Sequence, residues 1–137
     1  MFTFIKTWND ARSHCKSLGG DLASVSSLEI NTFLTILTSD QAWIGGYKSG
    51  SSWKWTDGSN VDYSNWMSGQ PNNWGGNQDK IYINRDGLGG WDDDKGSSER
   101  YFICEKLKQG NEKFQFSTIF TKDSQIEQHR SMPDFSK

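Results

Sequence analysis

The sequence lacks the features of several large functional classes. No segment approaches the roughly 20 consecutive apolar residues that cross a membrane, so we expect no membrane insertion by this chain. Fifteen basic and 17 acidic side chains give a formal net charge of -2, and no Lys/Arg stripe is present, which argues against nucleic-acid binding. No metal-hydrolase motif, phosphate loop or Ser/His/Asp arrangement occurs, and the adjacent Asp92 and Asp93 would point in different directions, unlike a glycosidase pair. The sequence therefore predicts a binding domain and no enzyme.

Cysteine is also scarce, with Cys15 and Cys104 alone and far apart. Two free thiols are one interpretation, and are common in cytosolic proteins. The other is a disulfide that closes nearly the whole chain, for which chain entropy gives roughly 4 to 5 kcal/mol. No signal peptide is visible, and Phe2 and Phe4 indicate a strand that is already under way. We therefore expect part of a longer protein that is secreted or membrane-anchored.

At 137 residues the chain suits one domain with a real core. Thr7, followed three residues later by Asp10, predicts the start of a helix that ends before Gly19. Its buried face is predicted to comprise Trp8, Ala11, Cys15 and Leu18.

A second helix is predicted to open at residues 26–29 and to end near Ser39. Its apolar stripe consists of Ile30, Phe33, Leu34 and Leu37. Strands are predicted at 42–46, 53–55, 80–84 and 101–105, which completes an α+β arrangement. After residue 106 the composition turns polar, so 107–137 is predicted to be an extension or linker.

The segment 66–93 is unusual because side-chain oxygens crowd among tryptophans and glycines. Oxygen donors with almost no nitrogen or sulfur ligands suit a hard cation such as calcium. The oxygens belong to Gln70, Asn72, Asn73, Asn77, Gln78, Asp79, Asp92 and Asp93. We interpret the segment as a surface loop around one weak calcium position that presents a polyol-binding face.

From about residue 2 to 105 the sequence resembles C-type lectin-like domains. The resemblance rests on short motifs that follow one another in order at workable spacing, and each is weak alone. They are WNDAR at 8–12 before Cys15, WIG at 43–45, WKWTDG at 53–58, YSNW at 63–66, QPNNW at 70–74, WDD at 91–93 and FICE at 102–105. The resemblance implies a fold with two helices on small antiparallel sheets and a long ligand-binding loop, in a domain spanning 1–106 with its first strand truncated.

The resemblance also implies that Cys15 and Cys104 form the outer disulfide, and hence an oxidising, extracellular location. It implies a calcium cage completed by two neighbouring sugar hydroxyls, with a cis peptide bond before Pro71. The matching ligand positions are Gln70, Asn72, Gln78, Asp92 and Asp93. Sugar contacts are expected from Gln70, Asn72, Trp74, Gln78 and Asp92.

Several positions depart from the family pattern. Gln70-Pro71-Asn72 is neither the triplet associated with mannose nor the one associated with galactose, and Gln78 replaces a usual glutamate while Asp92 replaces a usual asparagine. Two carboxylates remain where three are typical, so we expect calcium no tighter than ~1 mM and one ion at most. Lys80 and Gly96 occupy the positions of a missing inner disulfide, and Lys48 stands where an auxiliary site needs an acid.

Two functions follow from the resemblance. The first is calcium-dependent binding of a mannose- or galactose-type glycan, in which Trp74 is either a stacking surface or a loop anchor. The second is a calcium-independent interaction with a protein ligand by a domain whose sugar site has decayed. The remaining tryptophans of the first half (Trp8, Trp43, Trp53, Trp55 and Trp66) are predicted to belong to the core.

Overall fold

The computed structural model describes residues 5–107, 114–119 and 128–131. The predicted strand around Phe2 and Phe4 lies outside these residues. Within them, two helices pack on a mixed sheet, which confirms the predicted α+β class.

The first helix, α1, spans Trp8–Ser17 and begins where Thr7 caps it by accepting the Asp10 N–H at 3.3 Å. Trp8, Ala11 and Cys15 form its buried face, as predicted. Leu18 does not belong to that face, and this part of the prediction is wrong: its side chain is 37% exposed. The helix ends at Ser17, so Leu18 leaves the helical path as the C-cap and turns outward.

The second helix, α2, spans Leu28–Leu37, and the Ser27 side chain caps it by accepting the Ile30 N–H at 3.2 Å. Leu34 and Leu37 are buried, whereas Ile30 is only partly buried. The helix also buries a polar residue, Asn31, which reaches across to the long loop.

The described strands belong to one eight-stranded sheet with the order β5-β4-β2-β6-β7-β8; β1 pairs with β6 and β3 with β2. Their bounds are Asp21–Leu22 (β1), Ala42–Ser49 (β2), Ser52–Lys54 (β3), Lys80–Ile83 (β4), Asp92–Asp94 (β5), Tyr101–Leu107 (β6), Phe114–Ile119 (β7) and Gln128–Ser131 (β8). The central pair β2 and β6 runs parallel, and the other pairs among these strands run antiparallel. β7 and β8 add two strands beyond β6, inside the segment predicted as an extension; the boundary at 106 stays a prediction.

The core consists of two hydrophobic clusters. One surrounds Cys15 and Cys104, which form the disulfide that the resemblance implied, across 89 residues of chain. The other lies under α2 and the long loop and contains Trp55 and Trp91. Trp8, Trp43 and Trp55 are buried, and Trp53 and Trp66 pack partly buried against the second cluster, so the core prediction for the tryptophans is confirmed.

Candidate functional site

The long loop is fixed to the core by Trp91, immediately before β5. The Trp91 ring is fully buried and meets Trp55 and Trp66 edge-on, at centroid distances of 5.5 and 5.7 Å. Its indole N–H donates to Asn31 Oδ1 at 2.8 Å, and its backbone joins the start of the loop through Met67 N–H to Trp91 O at 2.9 Å. Since Asp92 and Asp93 follow directly, the core determines where these two carboxylates stand.

The tip of the loop is a tight turn that gathers amide oxygens. The Gln70–Pro71 peptide bond is cis, Asn73 has a φ of 50°, and two glycines with positive φ follow in a short 3-10 helix, Trp74–Gly76. The Trp74 N–H donates to Asn72 Oδ1 at 3.2 Å and to Gln78 Oε1 at 2.9 Å. Two of the predicted ligand oxygens therefore lie beside the same nitrogen atom.

Asp93 joins this group. Its carboxylate accepts the N–H groups of Asn72 and Asn73, at 3.3 and 2.8 Å, and only 1% of the residue is exposed. Burial raises the pKa of Asp93, although these two N–H donors act in the opposite direction. A nearby cation would favour the ionised form of this carboxylate.

Gln70 supplies a direct test of whether the residues fit a cation. Its Oε1 is buried and accepts no hydrogen bond from the described part of the chain. A buried acceptor without a donor is costly, so the atom is suited to a metal ion or another donor. Gln70, Asn72, Gln78 and Asp93 offer the type of oxygen donor that calcium prefers. Within the described residues no cluster of three or more His, Cys, Asp or Glu could hold a metal, so such a site would depend on its amides.

Asp92 faces a different set of partners. Its Oδ2 accepts from Tyr82 Oη at 3.1 Å and forms an ion pair with Arg85 Nη1, and its Oδ1 accepts the Asp93 N–H at 2.8 Å. The residue is 5% exposed. Apart from the bond with the Asp93 N–H, the described partners of Asp92 lie in β4 or just after it, and none is an amide of the turn.

Sequence reasoning missed two residues beside the predicted set, Arg85 and Asp94. Asp94 accepts from Gln78 Nε2 at 3.3 Å and from Arg100 Nη1 at 2.6 Å. Burial alone would raise its pKa, but the hydrogen bonds from Arg100 and from the Lys95 backbone lower it. The register Tyr82↔Asp92 could have located Arg85, because it brings the end of β4 beside β5.

Trp74 extends into solvent with 77% of its surface exposed. Its side chain therefore does not anchor the loop by burial, whereas its backbone N–H binds two of the gathered oxygens. Lys80 and Gly96 lie side by side, since a Cβ on Gly96 would stand 3.3 Å from Lys80 Cγ.

A separate cavity of about 550 Å³ lies away from the long loop, and none of the predicted ligand residues lines it. Its wall includes Ser24, Trp55, Asp57 and Glu105. Glu105 accepts the Ser24 N–H at 2.8 Å, and burial raises its pKa to about 7.

Known proteins agree with this architecture. The family described as "Lectin C-type domain" matches residues 5–106. Ladderlectin of Oncorhynchus mykiss is 42% identical over 94 residues, which are 61% of this chain and 50% of that protein, so this chain spans half of that relative. The carbohydrate-recognition domain of cow CD23 was solved in the presence of a GlcNAc2Man3 oligosaccharide. It is 33% identical to this chain with a TM-score of 0.71, and the match covers 77% of this chain and 84% of the CD23 chain. A calcium-independent type II antifreeze protein is 31% identical with a TM-score of 0.68, covering 74% and 78%. The chain belongs to the C-type lectin domain family.

Proposed function

We propose that the chain binds carbohydrate through one weak calcium position in the long loop, formed by Gln70, Asn72, Gln78, Asp92 and Asp93. The observation that supports this most directly is the buried Gln70 Oε1, which lacks a donor among the described residues. The amide oxygens of Asn72 and Gln78 accept the same Trp74 N–H, and Asp93 contributes a buried carboxylate.

Each residue has a distinct part in the proposed binding. Calcium, when bound, would offer free coordination positions to two neighbouring sugar hydroxyls. Asn72 and Gln78 would hydrogen-bond those hydroxyls through their amide groups, which can donate as well as accept. The exposed face of Trp74 is suited to the apolar face of a sugar ring.

The donor set predicts weak binding. Amides carry no charge, and calcium affinity falls as the number of charged ligands falls. We therefore propose a dissociation constant for calcium of around ~1 mM or weaker, at the loose end of the extracellular range. The disulfide and the family support an oxidising environment, so we propose a secreted or extracellular domain that acts as a binding module and not as an enzyme. No helix in the described residues is long and apolar enough to span a membrane.

A specific observation favours a second candidate, a calcium-independent domain that binds a protein ligand. Asn72, Gln78 and Asp93 already accept N–H groups from within the loop, so the turn has internal ties that need no ion. The exposed Trp74 would then be a protein contact, since large aromatic side chains are frequent anchors of interfaces.

Retention on immobilised mannose and galactose, with elution by a chelator, separates the two candidates. We expect retention in about 10 mM calcium, roughly tenfold above the expected dissociation constant, and release by EDTA. Calcium should also raise the melting temperature. Failure on both columns with no rise in melting temperature would favour the protein-binding candidate.

Restoring acids tests which residues hold the ion. Asn72→Asp and Gln78→Glu each keep an acceptor at the same place and add a charge, so each should tighten calcium about tenfold in a calorimetric titration. Asn60→Asp adds the same charge at an exposed position outside the loop and is the matched control. Equal affinities for all these proteins would contradict the assigned ligand positions.

A further inference from the structure

Asp92 is a buried carboxylate whose charge needs a cation. Only 6% of its side chain is exposed, and transferring an ionised carboxylate out of water is costly unless it is paired. The Asp93 N–H and Tyr82 Oη reach its oxygens but carry no positive charge. Arg85 supplies the charge, through the ion pair of its Nη1 with Asp92 Oδ2.

Arg85 is placed so that its side chain can leave Asp92 when another cation takes its place. It lies two residues after the end of β4, in the turn that leads to β5, where its backbone N–H donates to Gly90 O at 2.9 Å. That backbone bond holds the residue in position independently of the side chain. The side chain itself is 51% exposed, so the guanidinium can exchange its partner for water without uncovering the core.

The proposed calcium position includes the same carboxylate. Asp92 is adjacent to Asp93, whose carboxylate is tied to the turn that carries Asn72. Asp92 faces Arg85 and Tyr82 and not the amides of the turn, so its carboxylate must leave Arg85 to reach an ion that those amides hold. Binding of one therefore weakens binding of the other.

We infer that Arg85 is a tethered competitor of calcium for Asp92, and that its ion pair sets how weakly the loop binds the metal. The inference rests on the proposed calcium position. With Arg85 on Asp92 this carboxylate is paired without metal; with calcium on Asp92, the guanidinium is released to solvent. The competition makes Arg85 a positioning residue for Asp92, and its release is part of calcium binding.

Arg85→Gln tests the competition by calorimetric titration with calcium. Loss of an ion pair with one buried member should tighten calcium about five- to tenfold. Arg85→Lys keeps a cation and should stay close to the wild-type affinity. Arg12→Gln is the matched control, because it removes the same charge from the Arg12–Asp21 pair, which ties α1 to β1 outside the loop.

Melting temperature in EDTA supplies a second measurement that needs no bound metal. Arg85→Gln should melt below the wild type in EDTA, since Asp92 loses its cation, and should gain more from added calcium than the wild type does. The double variant Arg85→Gln/Asp92→Asn should recover the melting temperature in EDTA and lose the gain in calcium affinity. If Arg85 only stabilised the fold, its substitution would lower the melting temperature in EDTA and leave the calcium affinity unchanged.

The outcomes separate this inference from the proposed function. If Arg85→Gln binds calcium as the wild type does, while the wild type shows calcium-dependent retention on a sugar column, the competition is wrong and the function stands. If Arg85→Gln binds calcium and the wild type does not, the competition holds and the wild-type loop is blocked by its own arginine. If neither protein binds calcium, both proposals fall.

Discussion

At the scale of single residues, Glu105 shows what burial does to a charge outside the binding loop. It lies in β6, at the wall of the separate cavity, and accepts the Ser24 N–H. Burial raises the pKa of Glu105 to about 7, and this effect exceeds the opposing effect of the Ser24 hydrogen bonds. The folded chain therefore binds this proton more tightly than the unfolded chain does.

This difference makes stability depend on pH in a definite direction. Between about pH 4.5 and 7 the folded state holds the proton and the unfolded state has released it, so the free energy of unfolding falls as pH rises. Stability from this group is complete below about 4.5 and is lost on passing pH 7. Glu105→Gln cannot ionise, so at pH 8 it should be more stable than the wild type by up to about 3 kcal/mol, and by little at pH 4. Urea unfolding at both pH values measures this.

The control for Glu105→Gln is Glu99→Gln, which removes one negative charge from an exposed position. If the stability difference between Glu105→Gln and the wild type is the same at pH 4 and pH 8, the assigned titration is wrong.

The oxygen donors of the site could be predicted from residue types alone, because amides and acids with few apolar neighbours occur together at 70–79. The ion pair of Asp92 could not. It depends on the register of β4 with β5, which places Asp92 opposite Tyr82 and within reach of Arg85. Registers form through contacts across the sheet, which local sequence patterns do not report.

At the scale of elements, the long loop is held without the inner disulfide of the family pattern, whose two positions are Lys80 and Gly96 here. Arg100 links Asp94 of β5 to the core, since its guanidinium also lies over the Tyr82 ring at 3.8 Å from the centroid. At the start of β4, Lys80 Nζ lies 5.0 Å from the centroid of the Trp8 ring, a cation–π contact with α1. These contacts are polar and partly exposed, so the loop should open more easily than a crosslinked one.

Restoring the crosslink should close the loop. The two positions adjoin, since a Cβ on Gly96 would lie 3.3 Å from Lys80 Cγ, so Lys80→Cys with Gly96→Cys should form a disulfide. A loop of about 15 residues gives a gain of roughly 3 kcal/mol in the free energy of unfolding. Thermal unfolding with and without reductant measures the gain. The single variant Lys80→Cys removes the same contact with Trp8 without a bridge, and a double variant no more stable than this single one would contradict the prediction.

Element positions were more predictable than their ends. Both helices begin where a hydroxyl caps them, at Thr7 and Ser27, because such capping is decided within one turn of chain. The exposure of the Leu18 side chain was not predictable, because helical spacing carries no information on where the helix stops. β7 pairs with the preceding strand β6, but the polar composition of the segment around β7 favoured an extension instead.

At the scale of the whole molecule, the Cys15–Cys104 bridge joins α1 to β6 across a sequence separation of 89 residues, which includes the long loop. The bridge stabilises the fold chiefly by limiting the unfolded chain, and a closed loop of this size gives roughly 4 to 5 kcal/mol. Both sulfur-bearing residues are almost fully buried, so reductant alone reaches them poorly.

The bridge could stabilise the domain by restricting the unfolded chain or by packing between α1 and β6, and the variant Cys15→Ala/Cys104→Ala separates these two effects. We expect a loss of roughly 4 to 5 kcal/mol in urea unfolding together with a larger m value, because an unfolded chain without the crosslink exposes more surface. Val25→Ala is the control: it removes buried carbon from the other cluster, so it should cost about 1–3 kcal/mol and leave m unchanged. If the double variant lost stability with no change in m, the bridge would act by packing between α1 and β6, and the entropic account of this fold would be wrong.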